Sequence, residues 1–346
     1  MRIGLIPESL GERLMLRSSR FPRPVFDVMG TMLLSRAVMA GVHFGVFERL
    51  AQEAKSADEL AAEAGGDPHG MRLLLNALVA CGYLTEHAGR YQNARLAADW
   101  LRADAPRAVA DFVRFNYDQW NWIGHLEEFI QSGGALDIHE RLNETEWRRY
   151  MLGLRDLARL AADEVGDKLK FPTAPRRLLD IGGGHCYYSI ALCRRYPSLC
   201  ATVVDLEPAA RIGRELVEQA GLSSRIEFRT GHLAQAEFGK QHDAALLFNV
   251  LHHLDEETSR DTLRRVHAAL APGGRVVVGE TFREEQARKE KEQLGSLMAL
   301  FFGVTSRRET LEFEQVAGWA HAAGFARVQR QKLTAAPFSS LLIGIK

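Results

Sequence analysis

The feature that most constrains the fold is a regular alternation of strand and helix patterns over the second half of the chain. From Phe171 onward, short apolar runs rich in β-branched residues are separated by longer segments of helical periodicity. This alternation predicts a parallel sheet with helices on both faces, a Rossmann-like α/β fold. The predicted strands are Arg177–Ile181, Ala201–Asp205, Arg225–Arg229, Asp243–Phe248 and Arg275–Glu280.

The end of the chain departs from this alternation. Phe325–Leu333 and Ser339–Ile345 have strand patterns, and only Thr334–Phe338 separates them. A parallel crossover needs a dozen or more residues, so this connection is too short for one. We therefore expect the last strand to run antiparallel to its neighbours.

The N-terminal part is predicted to be helical and to end in a hairpin. A capping box at Ser56–Glu59 and the N-cap pair Asp67-Pro68 each start a helix. Two short strands flank His87-Ala88-Gly89, a turn sequence. Helix, helix, hairpin is the order of a winged helix. Upstream, Val25–Leu50 is apolar on most faces, which favours cover from a partner subunit.

Winged helices often bind DNA, so that function must be weighed. The stretch from Ala57 to Arg95 carries five acidic and three basic side chains, a net charge of −2. Over the whole chain, 44 Lys and Arg balance 44 Asp and Glu. DNA-binding modules concentrate positive charge where phosphates lie. The charge pattern therefore favours dimerisation or closure of a substrate pocket, with no nucleic-acid partner.

These patterns divide the chain into three parts. We predict a winged-helix-like dimerisation domain over residues 1–105, a helical connector with pocket residues over 106–170, and a catalytic domain over 171–346. The connector holds an aromatic cluster that could be core or could line a pocket for a flat ligand: Phe112, Phe115, Tyr117, Trp120 and Trp122. The mixed charges of residues 284–292 are typical of a solvated helix face.

Cysteine usage and apolar runs bear on the compartment. Cys81, Cys186, Cys193 and Cys200 form no C-x-x-C pair, which argues against a metal site and fits a reducing compartment. The N-terminus has no apolar core of a signal peptide, and no stretch approaches a membrane span. We expect a cytoplasmic protein that does not associate with membranes.

A glycine-rich loop follows the first strand of the catalytic part. Asp180-Ile181 is followed by three glycines, Gly182 to Gly184, and Asp205 ends the next strand. Glycines at a strand end allow close approach of a ligand, and ligands bind at the carboxyl ends of such strands. The dinucleotide fingerprint G-x-G-x-x-G fails at Tyr187. An acid before the glycines suits S-adenosylmethionine, whose amino group is cationic and which has no pyrophosphate.

At this point the chain resembles the small-molecule O-methyltransferases that carry an N-terminal winged-helix dimerisation domain, such as plant phenolic and bacterial polyketide O-methyltransferases. The resemblance covers nearly the whole chain. It rests on four stretches, Asp180–Gly184, Val204–Leu206, Val250–Glu256, and Arg308–Thr310 with Ala323–Phe325 downstream. It implies S-adenosylmethionine as cofactor, a small and aromatic acceptor, and a homodimer.

The resemblance also assigns site residues. It implies a cofactor site made of Asp180, Gly182, Gly184, Asp205, Leu206, Gly231, His232 and Asn249. Two positions depart from the family. Cys186 replaces the third glycine of the loop, and His232 replaces the acid of a Gly-Asp pair that often contacts adenine.

The implied catalytic residues are His252, Glu280 and Glu309. His252 matches the family's catalytic base, although His253-Leu254 replaces the usual Asp-Trp, and the two glutamates match those that flank this base. Histidine titrates near neutrality and can take a phenolic proton, while a carboxylate on its other ring nitrogen fixes the tautomer. The apolar run after residue 296 could be core or a substrate wall.

Three alternatives stay open. Methyl transfer to carbon or nitrogen could occur on the same fold, because a fold does not fix a reaction. A cofactor-binding relative could catalyse non-methylating chemistry. The third alternative is a ligand-sensing winged-helix transcription factor.

Overall fold

The computed structural model describes residues 4–18, 21–283, 293–306, 308–336 and 339–346. The chain divides into two compact units, Arg2–Tyr117 and Asp118–Lys346. The predicted charge run at residues 284–292 lies outside the described residues.

The first unit is helical with one hairpin. Its core is formed by side chains such as Val46, Phe47, Leu60, Leu75 and Leu78, all buried. The unit comprises helices α1 (Leu10–Arg17), α2 (Arg23–Val25), a π-helical turn (Phe26–Gly30), α3 (Thr31–His43), α4 (Val46–Arg49), α5 (Ala57–Ala64) and α6 (Pro68–Ala80), strands β1 (Leu84–His87) and β2 (Arg90–Asn93), helix α7 (Arg95–Trp100) and the start of α8 (Ala110–Ile123).

The predicted helix–helix–hairpin order is confirmed. Ser56 and Glu59 form the capping box of α5, and Asp67 caps α6 through the N–H of Gly70. Gly65, with a φ of 67°, ends α5 in the left-handed conformation. β1 and β2 pair antiparallel, with Leu84 opposite Asn93.

The apolar segment near the N-terminus corrects one expectation. The helical run Arg23–His43 is long and apolar enough, by length and composition, to cross a membrane, so the expectation that no stretch approaches a span is wrong. Its C-terminal end is buried at Met39 and Val42, but the side chains of Met32 and Leu33 are exposed. A run of exposed apolar side chains on one helix is typical of a surface that another molecule covers.

The second unit is built on a seven-stranded sheet in the order β5-β4-β3-β6-β7-β9-β8. Its strands are β3 (Arg177–Ile181), β4 (Cys200–Asp205), β5 (Ile226–Thr230), β6 (His242–Phe248), β7 (Leu270–Glu280), β8 (Ala326–Lys332) and β9 (Ser340–Ile345). Its helices after α8 are α9 (Leu126–Ser132), α10 (Ile138–Arg141), α11 (Glu144–Lys168), α12 (Tyr187–Arg195), α13 (Glu207–Gln219), α14 (Glu256–Ala269), α15 (Gln293–Ser306) and α16 (Phe313–Ala322).

The first five strands of this sheet are parallel, as predicted. Helices α12, α13 and α14 lie in three of the four connections between them, whereas β5 and β6 are joined by residues 231–241 without the helix that was expected there. β9 runs antiparallel to both β7 and β8, so the prediction for the last strand is also confirmed. From β3 the chain builds β4 and β5 on one side and β6 and β7 on the other. The carboxyl ends of β3 and β6 therefore flank the switch point where such sheets bind ligands.

Alternating side chains fill the two faces of the sheet. Leu179 and Val278 pack into one buried cluster with helices α14 and α16, whereas Leu178 and Val277 pack into another with α11, α12 and α13. The central strands β3 and β6 are buried on both faces and carry continuous apolar runs, which makes them easy to recognise in the sequence. The edge strand β5 is only partly buried and has a mixed polar and apolar sequence.

Candidate active site

The loop after β3 is shaped by glycine. Gly182 has a φ of 65°, and a Cβ atom there would lie 2.5 Å from Cγ2 of Val250. A Cβ atom on Gly184 would lie 2.6 Å from Sδ of Met151. Larger side chains would therefore clash with the walls of the loop. Cys186, the departure from the family pattern, adopts a φ of 56° at the N-cap of α12. A cysteine thus holds a left-handed backbone conformation that glycine adopts more easily.

Asp205 links this loop to the end of β4. Oδ2 of Asp205 accepts the N–H of Gly184 at 2.7 Å, and Oδ1 accepts the N–H of Leu206 at 2.6 Å. Burial raises the pKa of Asp205 to about 6, although the N–H groups of Leu206 and Gly184 oppose this shift. Each carboxylate oxygen keeps a lone pair that could accept a ligand hydroxyl.

Asp180 has a different environment from Asp205. Its side chain is buried, and Oδ2 accepts a hydrogen bond of 2.6 Å from the hydroxyl of Ser189. Burial raises the pKa of Asp180 to about 7, the Ser189 hydroxyl lowers it and the charge of Asp205 raises it further. A cavity opens at the ends of these strands, and Asp180 is not among the described residues that line it. The structure therefore places Asp180 behind the glycine loop.

A cavity of about 460 Å³ opens at these strand ends, within the usual size range of small-molecule sites. We call it the cofactor cavity. Seven of the eight residues assigned to the cofactor from sequence line it: Gly182, Gly184, Asp205, Leu206, Gly231, His232 and Asn249.

His252 and Glu280 meet at the ends of β6 and β7. His252 lies in a short 3₁₀ turn, Leu251–His253, and Nδ1 is 2.6 Å from Oε2 of Glu280. Oε1 of Glu280 accepts the backbone N–H groups of Val250 at 3.0 Å and Leu251 at 2.9 Å. Both side chains are buried. The carboxylate is thus fixed by the same turn that carries the histidine.

Further rings surround His252. Phe302, from α15, stacks on it with ring centroids 4.2 Å apart and an angle of 18°. The His253 ring lies 4.1 Å from His252 and 4.6 Å from His139 of α10. Burial lowers the pKa of His139 to about 4, and burial with the neighbouring His252 and His139 holds the pKa of His253 well below its usual range. His139 and His253 therefore stay neutral near pH 7.

A second cavity of about 630 Å³ is lined by His252, and we call it the acceptor cavity. Glu309 lines this cavity as well, but its carboxylate pairs with the guanidinium of Arg283. Among the described residues, no hydrogen bond joins Glu309 to His252. The structure therefore brings Glu280 to the histidine, whereas Glu309 lines the same cavity and is paired with Arg283. Apolar and aromatic side chains complete much of the wall: Phe129, Leu254, Leu300, Leu311 and Trp319.

Sequence reasoning missed several of these neighbours. His139, Trp147 and Tyr150 line the cofactor cavity, but no motif or spacing in the sequence links them to the glycine loop. In the predicted aromatic cluster, Phe115 is core, and Trp122 lies near Phe301. The apolar run of α15 serves the site, because Leu300 lines the acceptor cavity and Phe302 stacks on His252.

Comparison with protein families decides the class of this site. Residues 108–326 match the O-methyltransferase domain, and residues 26–103 match the O-methyltransferase dimerisation domain. The chain belongs to the O-methyltransferase family. This O-methyltransferase uses S-adenosylmethionine as its methyl donor.

Individual relatives agree with the family. The O-methyltransferase is 26% identical over 334 residues to 3-hydroxy-5-methyl-1-naphthoate 3-O-methyltransferase of Streptomyces sahachiroi, covering 94% of this chain and 95% of the relative. It is 28% identical over 246 residues to L-tyrosine C(3)-methyltransferase of Streptomyces lavendulae, covering 66% of each. Human N-acetylserotonin methyltransferase, solved in complex with SAM, has the same fold, with a TM-score of 0.82, 21% identity, and coverage of 95% and 99%.

The residues of the cofactor cavity fit S-adenosylmethionine. The glycine loop leaves space that a Cβ atom would fill, and Asp205 offers carboxylate lone pairs beside it. A carboxylate at this position can accept hydrogen bonds from both ribose hydroxyls.

Proposed function

We propose that this enzyme methylates a hydroxyl group of a small aromatic acceptor, with His252 as the general base. The observation that carries the proposal is the 2.6 Å contact between Nδ1 of His252 and Oε2 of Glu280, beside the cofactor cavity. S-adenosylmethionine supplies an electrophilic methyl group on a sulfonium. The chain must align the acceptor hydroxyl and remove its proton.

Glu280 is proposed to orient His252. Its carboxylate accepts a hydrogen bond from Nδ1–H, which fixes the tautomer in which Nε2 is unprotonated and able to accept the proton of the acceptor hydroxyl. The same carboxylate stabilises the imidazolium that forms. Because Oε1 is held by the N–H groups of Val250 and Leu251, the carboxylate keeps its position while the histidine changes charge.

The acceptor is proposed to bind in the acceptor cavity. Phe302 stacks on His252, and Trp319 and Phe129 provide further aromatic surface. Flat rings bury well against such walls. The naphthoate and acetylserotonin methyltransferases among the relatives act on aromatic hydroxyls, which supports this acceptor class. Glu309, which also lines this cavity, is proposed to position the acceptor.

The cofactor is proposed to lie along the strand ends. Asp205 would hold the ribose, Gly182 and Gly184 would line its path, and Leu206, Gly231, His232 and Asn249 complete the assigned site. Asp180 would act from behind the loop, through its bond with Ser189. Of the two departures from the family pattern, His232 lines the cavity.

The dimerisation domain supports a homodimer. We propose that a second copy covers the exposed apolar side chains of Arg23–His43, among them Met32 and Leu33. Light scattering after gel filtration should then give twice the chain mass of 38.7 kDa, and a monomeric mass would contradict it. A cytoplasmic location stays a prediction, as does the absence of nucleic-acid and membrane partners.

The test compares His252→Ala with the parent enzyme. Phenols, naphthols and hydroxynaphthoic acids are screened with labelled S-adenosylmethionine, and kcat is measured on the best acceptor. We expect kcat to fall by roughly 10²- to 10⁴-fold, the usual contribution of a general base. Binding of S-adenosylhomocysteine should stay unchanged by calorimetry. Undiminished turnover in the variant would rule out His252 as the base.

Methylation at ring carbon is the second candidate, because one relative is a tyrosine C(3)-methyltransferase. Carbon-13 NMR of the product distinguishes methylation at oxygen from methylation at ring carbon. A methoxy signal supports the main proposal, and an aryl methyl signal supports the second. The same protein titrated with duplex DNA at low salt tests the transcription-factor alternative.

A further inference from the structure

Arg308 lies where the two cavities meet. It lines both the cofactor cavity and the acceptor cavity, as Leu254 does among the described residues. Within the described part of the chain, Arg308 is also the only arginine or lysine in either lining. A single fixed positive charge therefore sits at the junction where the acceptor must approach the methyl group.

The guanidinium of Arg308 is not engaged by a close partner. Its guanidinium makes a long ion pair with Asp255, with 3.9 Å between Nη2 and Oδ2. This distance exceeds hydrogen-bond reach. Asp255 already accepts the N–H of Thr258 at 2.7 Å as the N-cap of α14. In the described ranges no side-chain hydrogen bond from Arg308 occurs and the side chain is 41% exposed, so its donors are available to a ligand.

The other carboxylates of the acceptor cavity have cations of their own. Glu309 pairs with Arg283, which also reaches Glu312 at 3.2 Å. Glu256 pairs with Arg260 at 2.8 Å, one turn along α14. Because these acids are neutralised locally, they compete weakly for Arg308 and repel an incoming anion weakly.

We propose that Arg308 binds a carboxylate on the aromatic ring of the acceptor, so that the enzyme prefers hydroxyarene carboxylic acids to neutral phenols. A guanidinium presents a planar fork that matches a carboxylate with two parallel hydrogen bonds. A ring held in this way would lie between Arg308 and His252. This inference rests on the proposed function, because it names the acceptor class of the same site.

The cofactor also carries a carboxylate, at its amino-acid end, so the experiment must separate the two sources. Binding is measured by calorimetry. One arm titrates S-adenosylhomocysteine and 5′-methylthioadenosine, which lacks the amino-acid end. The other arm titrates acceptor probes into protein saturated with S-adenosylhomocysteine: salicylic acid, 3-hydroxy-2-naphthoic acid, 1-hydroxy-2-naphthoic acid and their methyl esters.

We expect the parent protein to bind the best acid roughly 10- to 100-fold more tightly than its ester, the range for a charge-assisted hydrogen-bonded pair. Arg308→Met should abolish this preference by weakening the acid alone, and Arg308→Lys should restore part of it. Arg264→Met is the matched control, because Arg264 is an exposed arginine of α14 paired with Asp261. It should keep the full preference.

Any of three results would overturn the inference. The first is an Arg308→Met protein that keeps the acid preference, and the second is a parent protein that prefers none of the three acids to its ester. The third is an Arg308→Met protein that loses affinity for S-adenosylhomocysteine but not for 5′-methylthioadenosine, which would assign Arg308 to the cofactor. Since binding is measured without turnover, an acid that binds through Arg308 but gains no O-methyl group would refute the proposed function alone.

Discussion

The two sides of the sheet's carboxyl edge hold their functional groups in different ways. On the cofactor side, at the ends of β3 and β4, Asp205 is fixed by backbone N–H groups of Gly184 and Leu206. On the base side, at the ends of β6 and β7, His252 is fixed by the side chain of Glu280. The first arrangement depends on loop geometry and the second on a pair of ionisable side chains. Variants should therefore separate cofactor binding from catalysis.

The largest effect is expected on the base side, for Glu280→Gln. The amide of Gln would place either a donor or a weaker acceptor against Nδ1. His252 would then lose its preference for the Nδ1–H tautomer, and its imidazolium form would lose the stabilising negative charge. We expect kcat to fall by roughly 10²- to 10⁴-fold. Affinity for S-adenosylhomocysteine should not change. Steady-state kinetics and calorimetry measure the two quantities.

Glu256→Gln provides the control, since Glu256 also lines the acceptor cavity but pairs with Arg260. Equal losses of turnover and cofactor affinity in Glu280→Gln would mean that the two sides are not separable.

The next effect concerns stability and Asp180. Its pKa is raised from 3.8 to about 7 in the folded chain, so folding favours the protonated form. That stabilisation is complete below pH 3.8 and is lost as pH rises to about 7. At about 1.4 kcal/mol per pKa unit, the loss in unfolding free energy is on the order of 4 kcal/mol.

Urea unfolding at several pH values between 4 and 8 measures this change. Asp180→Asn cannot ionise, so its unfolding free energy should fall less over the same range. The pKa of Asp205 is also raised, to about 6. The unfolding free energy of Asp180→Asn should therefore still fall with pH, but with a smaller slope than that of the parent. Parallel curves for the parent and the variant would contradict the assignment.

The smallest effect is expected on the cofactor side, for Asp205→Asn. The amide oxygen could keep one N–H partner, but the amide nitrogen would oppose the other. We expect the Kd for S-adenosylhomocysteine to rise roughly 10- to 100-fold, as for loss of a charge-assisted hydrogen bond. The neighbouring variant Glu207→Gln, whose exposed parent residue pairs with Arg214, should bind normally. Retained cofactor affinity in Asp205→Asn would remove the ribose contact from the proposal.

The features that could be predicted from sequence are those that depend on local patterns in the chain. The sheet, its antiparallel last strand and the glycine loop follow from apolar periodicity and short-range spacing, which act within one stretch of chain. Two contacts of the site could not be predicted in this way: the pairing of Arg283 with Glu309 and the approach of His139 to His253. Each joins segments that only tertiary packing brings together. Cys186 shows that prediction can fail even within a motif. It stands where the family has glycine, yet its backbone adopts the positive φ that glycine favours.

The position of β9 between β7 and β8 has a consequence for synthesis on the ribosome. β9 is the last of these strands to emerge, yet it supplies the hydrogen bonds along one edge of β7 from Arg275 to Glu280, which pairs with Ser340. A nascent chain that has already made β3 to β7 therefore presents an unpaired, apolar β7 edge. Until β9 arrives, that edge is a target for chaperones and for aggregation, and the segment carrying Glu280 lacks its neighbour.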